Sequence, residues 1–258
     1  MRPPIAFHGL GALGFPIAAR LARVGHPIAA FDLDAQALER WRSAYPAATD
    51  GAEIVITCVT DEAALVALFE AELIAAARPG RIHIDHTTTA PATARRLGRE
   101  LAKQGAFFLD VPVSGAVAGA QAGTLSAFVG ADVAALEAAR PVLAAYCGRI
   151  THLGDCGAGQ LAKLCNQVAI AGTVRGLAEA VALARAGGLE VAPLLAALGA
   201  GSAASVQLEQ HSSKLASEAR FSDSFSWIYK DLQLALQEAR EKDVALLATT
   251  LIAHLLRR

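Results

Sequence analysis

Residues 1–258 read as an α/β half followed by an all-helical half, and three observations predict that division. Short apolar runs alternate with amphipathic stretches as far as about residue 150, as a parallel sheet covered by helices requires. A glycine-rich turn, Gly9-Leu10-Gly11-Ala12-Leu13-Gly14, joins the first apolar run to the first amphipathic stretch. From 160 to 186 the chain runs without proline and repeats apolar residues at helical spacing, through Leu161, Leu164, Val168, Ala171, Leu177, Val181 and Ala184.

Taken in order, the apolar runs predict strands at 4–8, 27–31, 53–59, 81–85, 106–109 and 125–129. Helices are predicted between them near 15–24, 34–43, 61–76, 91–104 and 132–145, one of them ended by Arg78-Pro79-Gly80. Past Gly157-Ala158-Gly159 comes one helix of about 40 Å at 1.5 Å per residue, then helical stretches at 190–198, 204–217 and 228–256. The expected domains are 1–156 and 157–258, with the long helix as the link.

The glycine turn lies between a strand, Pro4-Ile5-Ala6-Phe7, and a helix containing Ile17-Ala18-Ala19-Arg20-Leu21-Ala22. In that setting GxGxxG fits a dinucleotide: the first Gly allows the bend, the second admits the pyrophosphate, and the third lets helix and strand pack. The helix N-terminus adds free N–H groups and a positive dipole end. Asp32 ends the second strand 23 residues after Gly9, where a carboxylate meets the adenosine ribose and repels a 2′-phosphate. The N-terminal half is thus predicted to be a Rossmann domain binding NAD rather than NADP, through Gly9 to Gly14 and Asp32.

Composition excludes other classes. Lys and Arg number 23 against 24 Asp and Glu, so bulk charge attracts neither nucleic acid nor an anionic membrane. Cys58, Cys147, Cys156 and Cys165 show no CxxC pair and no metal-ligand spacing, which predicts no metal site and reduced thiols. The first 30 residues leave no room for a signal peptide and no apolar run reaches membrane-spanning length, so a soluble cytoplasmic protein is expected.

Three groups could carry chemistry. Lys163 falls early in the long helix among Leu, Ala, Cys and Val, with Asn166 and Gln167 on the same face at i+3 and i+4. Burial there would lower its pKa and suit it to acid/base work; a solvated lysine is the competing reading. The stretch from Asp110 to Leu125, DVPVSGAVAGAQAGTL, follows a strand with almost no charge, as a loop offering N–H groups to a carboxylate does. A plain flexible connection is its alternative. Among Thr87, Thr88 and Thr89, hydroxyls could face a nicotinamide, and capping of the helix at Pro91 is expected of at least one.

GLGALGFPIAARL, DHTTTAP, DVPVSGAVAGAQAGTL, GAGQLAKLCNQ and YKDLQLAL resemble, in order and separation, the motifs of the β-hydroxyacid dehydrogenase family. The resemblance covers residues 9–236 and implies a Rossmann domain plus a helical domain, the active site lying in the cleft between them. It implies that Lys163 is the catalytic acid/base, that Ser114 and Gly115 hold the substrate carboxylate, and that Thr88 lies beside the nicotinamide. By the same resemblance Lys230 approaches cofactor and substrate, and Asp231 positions it. The implied reaction is NAD-dependent interconversion of a small 3-hydroxy acid and its semialdehyde or keto acid.

Where the family commonly has a second glycine after Ser-Gly, this chain has Ala116, whose methyl group could narrow the carboxylate pocket. The Asn166-Gln167 pair is more similar to tartronate semialdehyde reductases than to 3-hydroxyisobutyrate dehydrogenases. Family members usually continue about thirty residues past the point matching Arg258, which would leave Leu246, Leu247, Leu251, Leu255 and Leu256 seeking a partner and favours a homodimer or larger assembly. Two rivals stay open: an idle nucleotide-binding scaffold or interaction protein, and an imine or larger-carbonyl reductase. Lys163 argues against the imine reductases, in which that lysine is typically replaced. Gln207, His211, Lys214, Phe221 and Trp227 are further candidates to line a pocket, His211 being more simply a surface or satisfied histidine.

Overall fold

The computed structural model describes residues 2–46, 51–217 and 228–256, and the chain divides into two compact units, Met1–Lys163 and Leu164–Arg258. The first is a Rossmann-type α/β unit. Its elements run β1 (Ile5–His8), α1 (Gly14–Arg23), β2 (Ile28–Phe31), α2 (Ala35–Ala44), β3 (Ile54–Thr57), α3 (Glu62–Leu68), β4 (Ile82–Asp85) and α4 (Pro91–Lys103). They continue through β5 (Phe107–Asp110), β6 (Val113–Ser114), α5 (Ala116–Ala122), β7 (Leu125–Gly130), α6 (Val133–Leu143) and β8 (Cys147–Gly154) to α7 (Ala158–Ala186).

The sheet order is β2-β1-β3-β4-β5-β7-β6, with β8 paired to β7. Strands β1 to β5 are parallel, and β1 is flanked by β2 on one side and β3 on the other, so the order reverses at β1. Ligands of doubly wound sheets bind beyond the strand carboxyl ends at such a reversal. The register places Phe31, His8, Thr57, Asp85, Asp110 and Gly130 in one row across that edge. Strand side chains alternate between two cores: Phe7, Ile56, Ile84 and Leu109 pack with Ile17 and Leu21, while Val55 and Phe108 pack with Leu65, Phe69, Leu97 and Leu101. Each large side chain so buried contributes roughly 1.5–3 kcal/mol.

All six expected strands form, within a few residues of the expected ends. Two more are added: β6 is only two residues long, and β8 is an edge strand with one buried residue and no apolar run to betray it. The loop expected after Ser114 is instead helix α5, bounded by Gly115 and Gly123. The helix expected over 61–76 is α-helical only to Leu68 and widens into a π-helix at Phe69–Leu73, where Phe69 is buried edge-on against Phe108.

In the second unit, α7 is followed by α8 (Val191–Ala200), α9 (Val206–Ser217), α10 (Tyr229–Glu241) and α11 (Leu247–Leu256). Val174, Leu177 and Val181 of α7 pack with Leu195, Leu208 and Leu215, and Ala171 packs with Ile228, Leu232 and Ile252. By length and composition α7 could cross a membrane, with a mean hydropathy of 1.2 in its most apolar window, which corrects the expectation that no run is long enough. Its apolar stripe is used in these two clusters. The single helix expected over 228–256 is two helices, because Asp243 adopts a left-handed φ of 55° and the Val244 N–H returns to the Ala239 carbonyl. That is a Schellman stop made without glycine, so no residue type announced it.

Ala116, the first residue of α5, has a φ of 53° directly after Gly115 at 125°. An L-residue in that region costs roughly 1–2 kcal/mol, partly offset by the lower unfolded-state entropy of alanine. Ala116→Gly is therefore expected to raise stability by up to about 1 kcal/mol in urea unfolding. A lowered midpoint would contradict the strain at this position.

Candidate active site

The glycines of the first turn differ in what they avoid. Gly9 has a φ of 99° and a Cβ there would strike the Cys58 carbonyl, while a Cβ on Gly14 would strike the Gly9 carbonyl. Gly11 is different: a Cβ would meet no atom within 4 Å. The chain's own packing thus demands glycine at 9 and 14, and leaves space at 11. Leu10 is fully buried, Ala12 is exposed, and Leu13 is the N-cap of α1, with no side-chain cap and no acidic residue in the first turn. The N-terminal N–H groups of α1 are therefore positioned for an anion, and the turn fits a dinucleotide pyrophosphate.

Asp32 lies just past β2 and accepts from the Leu10 N–H through one oxygen and from the Asp34 N–H, at 2.8 Å, through the other. It so ties the glycine turn to the second strand. Arg40, which no sequence pattern singled out, donates to the Leu10 carbonyl at 3.2 Å and lies 4.3 Å from the Phe15 ring centroid. Only the fold brings it from α2 to the turn.

Further along the strand-end row lie two buried carboxylates. Asp85 accepts from Thr57 Oγ1 at 2.7 Å and from the Thr87 N–H at 3.1 Å; burial pushes its carboxyl up to about 7 against the pull of these bonds. Asp110 accepts from the Gly157 N–H at 2.7 Å and the Gln160 N–H at 2.8 Å, which caps α7, and burial raises it to about 6. Glycines 130 and 159 make its space, since a Cβ on either would collide with Asp110. His86 donates Nδ1–H to the Val111 carbonyl at 2.6 Å and accepts from Tyr146 at Nε2; burial lowers it to about 4, so it is neutral near pH 7.

Gln160 is fully buried, donating Nε2–H to the Thr87 carbonyl at 2.7 Å and accepting the Thr89 N–H at 3.0 Å. One turn on, Lys163 is buried and donates from Nζ to the Val113 carbonyl at 2.8 Å. Val113 precedes Ser114, half-buried at the end of β6, and the exposed Gly115 and Ala116. Thr88 is half-buried between buried Thr87 and Thr89. The first unit thus brings together Lys163, the Ser114 segment and, through Gln160, the Thr88 segment.

The threonines do not cap α4. Its N-cap is Ala90, and Glu62 instead takes the Ala90 N–H at 2.6 Å and the Thr93 hydroxyl at 2.9 Å. Thr87 Oγ1 accepts from the Val59 N–H, a cross-strand role invisible to local sequence.

In the second unit, Asn166 donates to Gln167, and buried Gln167 donates to Asp231 Oδ2 at 2.6 Å. Asp231 Oδ1 pairs with exposed Lys230 at 2.8 Å. Gln207, His211 and Lys214 all lie on α9, whereas Phe221 and Trp227 fall outside the described residues. Sequence reading missed Asp85, Asp110 and Gln160 as organisers; a carboxylate ending each of two apolar strands was the available signal.

Residues 4–154 match the family of the NAD binding domain of 6-phosphogluconate dehydrogenase. Residues 157–258 match the NAD-binding of NADP-dependent 3-hydroxyisobutyrate dehydrogenase. A protein of Shewanella frigidimarina described as an uncharacterized oxidoreductase is 36% identical over 92% of this chain and 85% of its own. A 3-hydroxyisobutyrate dehydrogenase of Pseudomonas aeruginosa is 40% identical over 74% of this chain and 67% of its own. The solved structure of the Mycobacterium tuberculosis 3-hydroxyisobutyrate dehydrogenase with L-serine matches with a TM-score of 0.88 at 30% identity, covering 100% of this chain and 93% of that one.

The two kinds of glycine predict opposite phenotypes. Gly14→Ala is expected to destabilise the fold by about 3 kcal/mol through the backbone collision. Gly11→Ala should leave urea stability within about 1 kcal/mol yet weaken NADH binding at least about tenfold in a fluorescence titration. Unimpaired binding by Gly11→Ala would remove the pyrophosphate from this turn.

Proposed function

The chain belongs to the β-hydroxyacid dehydrogenase family, and on that footing we propose that it interconverts a small 3-hydroxy acid and its semialdehyde or keto acid with NAD as cofactor. That it is an NAD(P)-dependent oxidoreductase follows from its relatives; the substrate class, the preference for NAD and the residue roles are our reading.

The observation that carries the reading is Lys163, a buried amine anchored to the Val113 carbonyl one residue before Ser114. An ammonium there can deliver a proton to an oxygen held by the neighbouring segment and stabilise negative charge developing on it. The nicotinamide, when bound, supplies or accepts the hydride. In the reducing direction Lys163 protonates the carbonyl oxygen as its carbon gains hydride; in oxidation it removes the hydroxyl proton as hydride leaves. Ser114 and Gly115 would hold the substrate carboxylate, with Ala116 next to them, and Thr88 would lie beside the nicotinamide. In the second unit Asn166, Gln167, Lys230 and Asp231 serve substrate and cofactor binding, which the bonds from Asn166 through Gln167 to Asp231 and Lys230 support.

Preference for NAD is supported by Asp32, whose carboxylate beside the Leu10 amide disfavours a 2′-phosphate. Residence in the cytoplasm and assembly as a homodimer or larger oligomer belong to the same proposal. Leu247 and Leu251, exposed on α11, support the assembly.

Two measurements test the reading. Spectrophotometric assays over L-serine, 3-hydroxyisobutyrate and related short hydroxy acids should give at least about tenfold higher kcat/KM with NAD than with NADP. Equal or greater efficiency with NADP would overturn the role of Asp32. Lys163→Ala should cut kcat by roughly 100- to 10,000-fold, the range for general acid–base catalysis, with NADH affinity nearly unchanged. Retention of most turnover would sink the assignment of Lys163.

A further inference from the structure

We propose that Gln160 is a positioning residue for catalysis, fixing the peptide units of Thr88 in register with Lys163. The inference rests on the reading of Lys163 as acid/base. Gln160 is fully buried, and its side-chain amide spans one residue of the neighbouring segment, donating to the Thr87 carbonyl at 2.7 Å and accepting the Thr89 N–H at 3.0 Å. Both peptide groups adjoining Thr88 are therefore held by the same side chain. The main chain of Gln160 is held in turn, its N–H bound to Asp110 at 2.8 Å, and Lys163 follows at i+3 with Nζ on the Val113 carbonyl.

The rest of the 87–90 segment is secured independently. Thr87 gives its N–H to Asp85 and takes the Val59 N–H on its hydroxyl, and the Ala90 N–H goes to Glu62. Losing the Gln160 amide thus leaves the ends of the segment in place and releases its middle, where Thr88 lies. Ionised glutamate keeps the acceptor but sets a carboxylate oxygen against the Thr87 carbonyl, and only its protonated form can donate there; asparagine is one methylene short, and leucine leaves both buried peptide groups unpaired. A displacement of about 1 Å between reacting groups lowers turnover by as much as about 100-fold.

The test compares Gln160→Leu, Gln160→Glu and Lys163→Ala with wild type, each assayed well below its unfolding midpoint. The substrate is whichever of L-serine and 3-hydroxyisobutyrate wild type turns over faster with NAD. The positioning role predicts kcat falling about tenfold or more in Gln160→Leu, and by less in Gln160→Glu. NADH affinity by fluorescence titration should stay within about threefold. In the protein without cofactor, amide exchange at Thr89 should quicken in Gln160→Leu and stay slow in Gln160→Glu, whose carboxylate still accepts that N–H. Should Gln160→Leu not fold, Gln160→Glu carries the comparison through its pH profile: only the protonated acid can donate to the Thr87 carbonyl, so its kcat relative to wild type should fall as the pH rises.

A folded Gln160→Leu variant with wild-type kcat, or a Gln160→Glu variant that keeps wild-type kcat at high as well as low pH, alongside an inactive Lys163→Ala, would overturn the positioning role and leave the lysine reading intact. An active Lys163→Ala would overturn the lysine reading itself, and this inference with it.

Discussion

The buried carboxylate of Asp110 joins the sheet to the long helix, and most of what surrounds the site hangs on that junction. It ends β5 in the row of strand ends, and its two oxygens take the N–H groups of Gly157 and Gln160 where α7 begins. Two N–H bonds and the positive end of a helix offset part of the desolvation that burial imposes, which is why the carboxyl is raised only to about 6. The geometry tolerates no substituent on its neighbours, since Gly130 and Gly159 give up their side chains to make room. With the first turn of α7 fixed in this way, Gln160 reaches the 87–89 segment and Lys163 reaches Val113. Site geometry is thus a consequence of helix capping.

A second constraint works at the other end of the row. Asp32 binds the Leu10 amide and Arg40 the Leu10 carbonyl, so both polar groups of that residue are held by charges of opposite sign. The turn is stiff where it meets the protein and open at Gly11, where it would meet a ligand. Asp85 has a comparable role midway, drawing the ends of β3 and β4 together through Thr57 and Thr87. All three aspartates lie at or just past the ends of strands; Asp32 and Asp110 use both carboxylate oxygens on neighbouring chain segments, whereas Asp85 uses Oδ1 for both of its bonds.

The alternation of apolar runs and the glycine turn made the fold of the first unit legible from sequence, because period and punctuation are local properties. Strand β8 was not legible, since edge strands take their order from a neighbour rather than from an apolar pattern. Nor was the break between α10 and α11, which Asp243 makes in a conformation usually left to glycine. Lys163, Ser114 and Asp32 stood out because their residue types are unusual in their surroundings. Gln160 and Asp110 did not, as their importance lies in bonds to residues 47 to 73 positions away. The threonines of 87–89 show the same limit from the other side: local rules assigned them to a cap, and a distant strand claimed one of them.

The left-handed backbone at Ala116 carries a last consequence. Alanine does not choose that conformation, so the surrounding chain must impose it, through Gly115 before it and α5 after it. A segment that holds a residue against its preference is one that does not relax freely when empty. Held in this way, its N–H groups need little further ordering, and a carboxylate bound there as proposed would lose little affinity to ordering the protein. The strain is met in folding, before any ligand arrives.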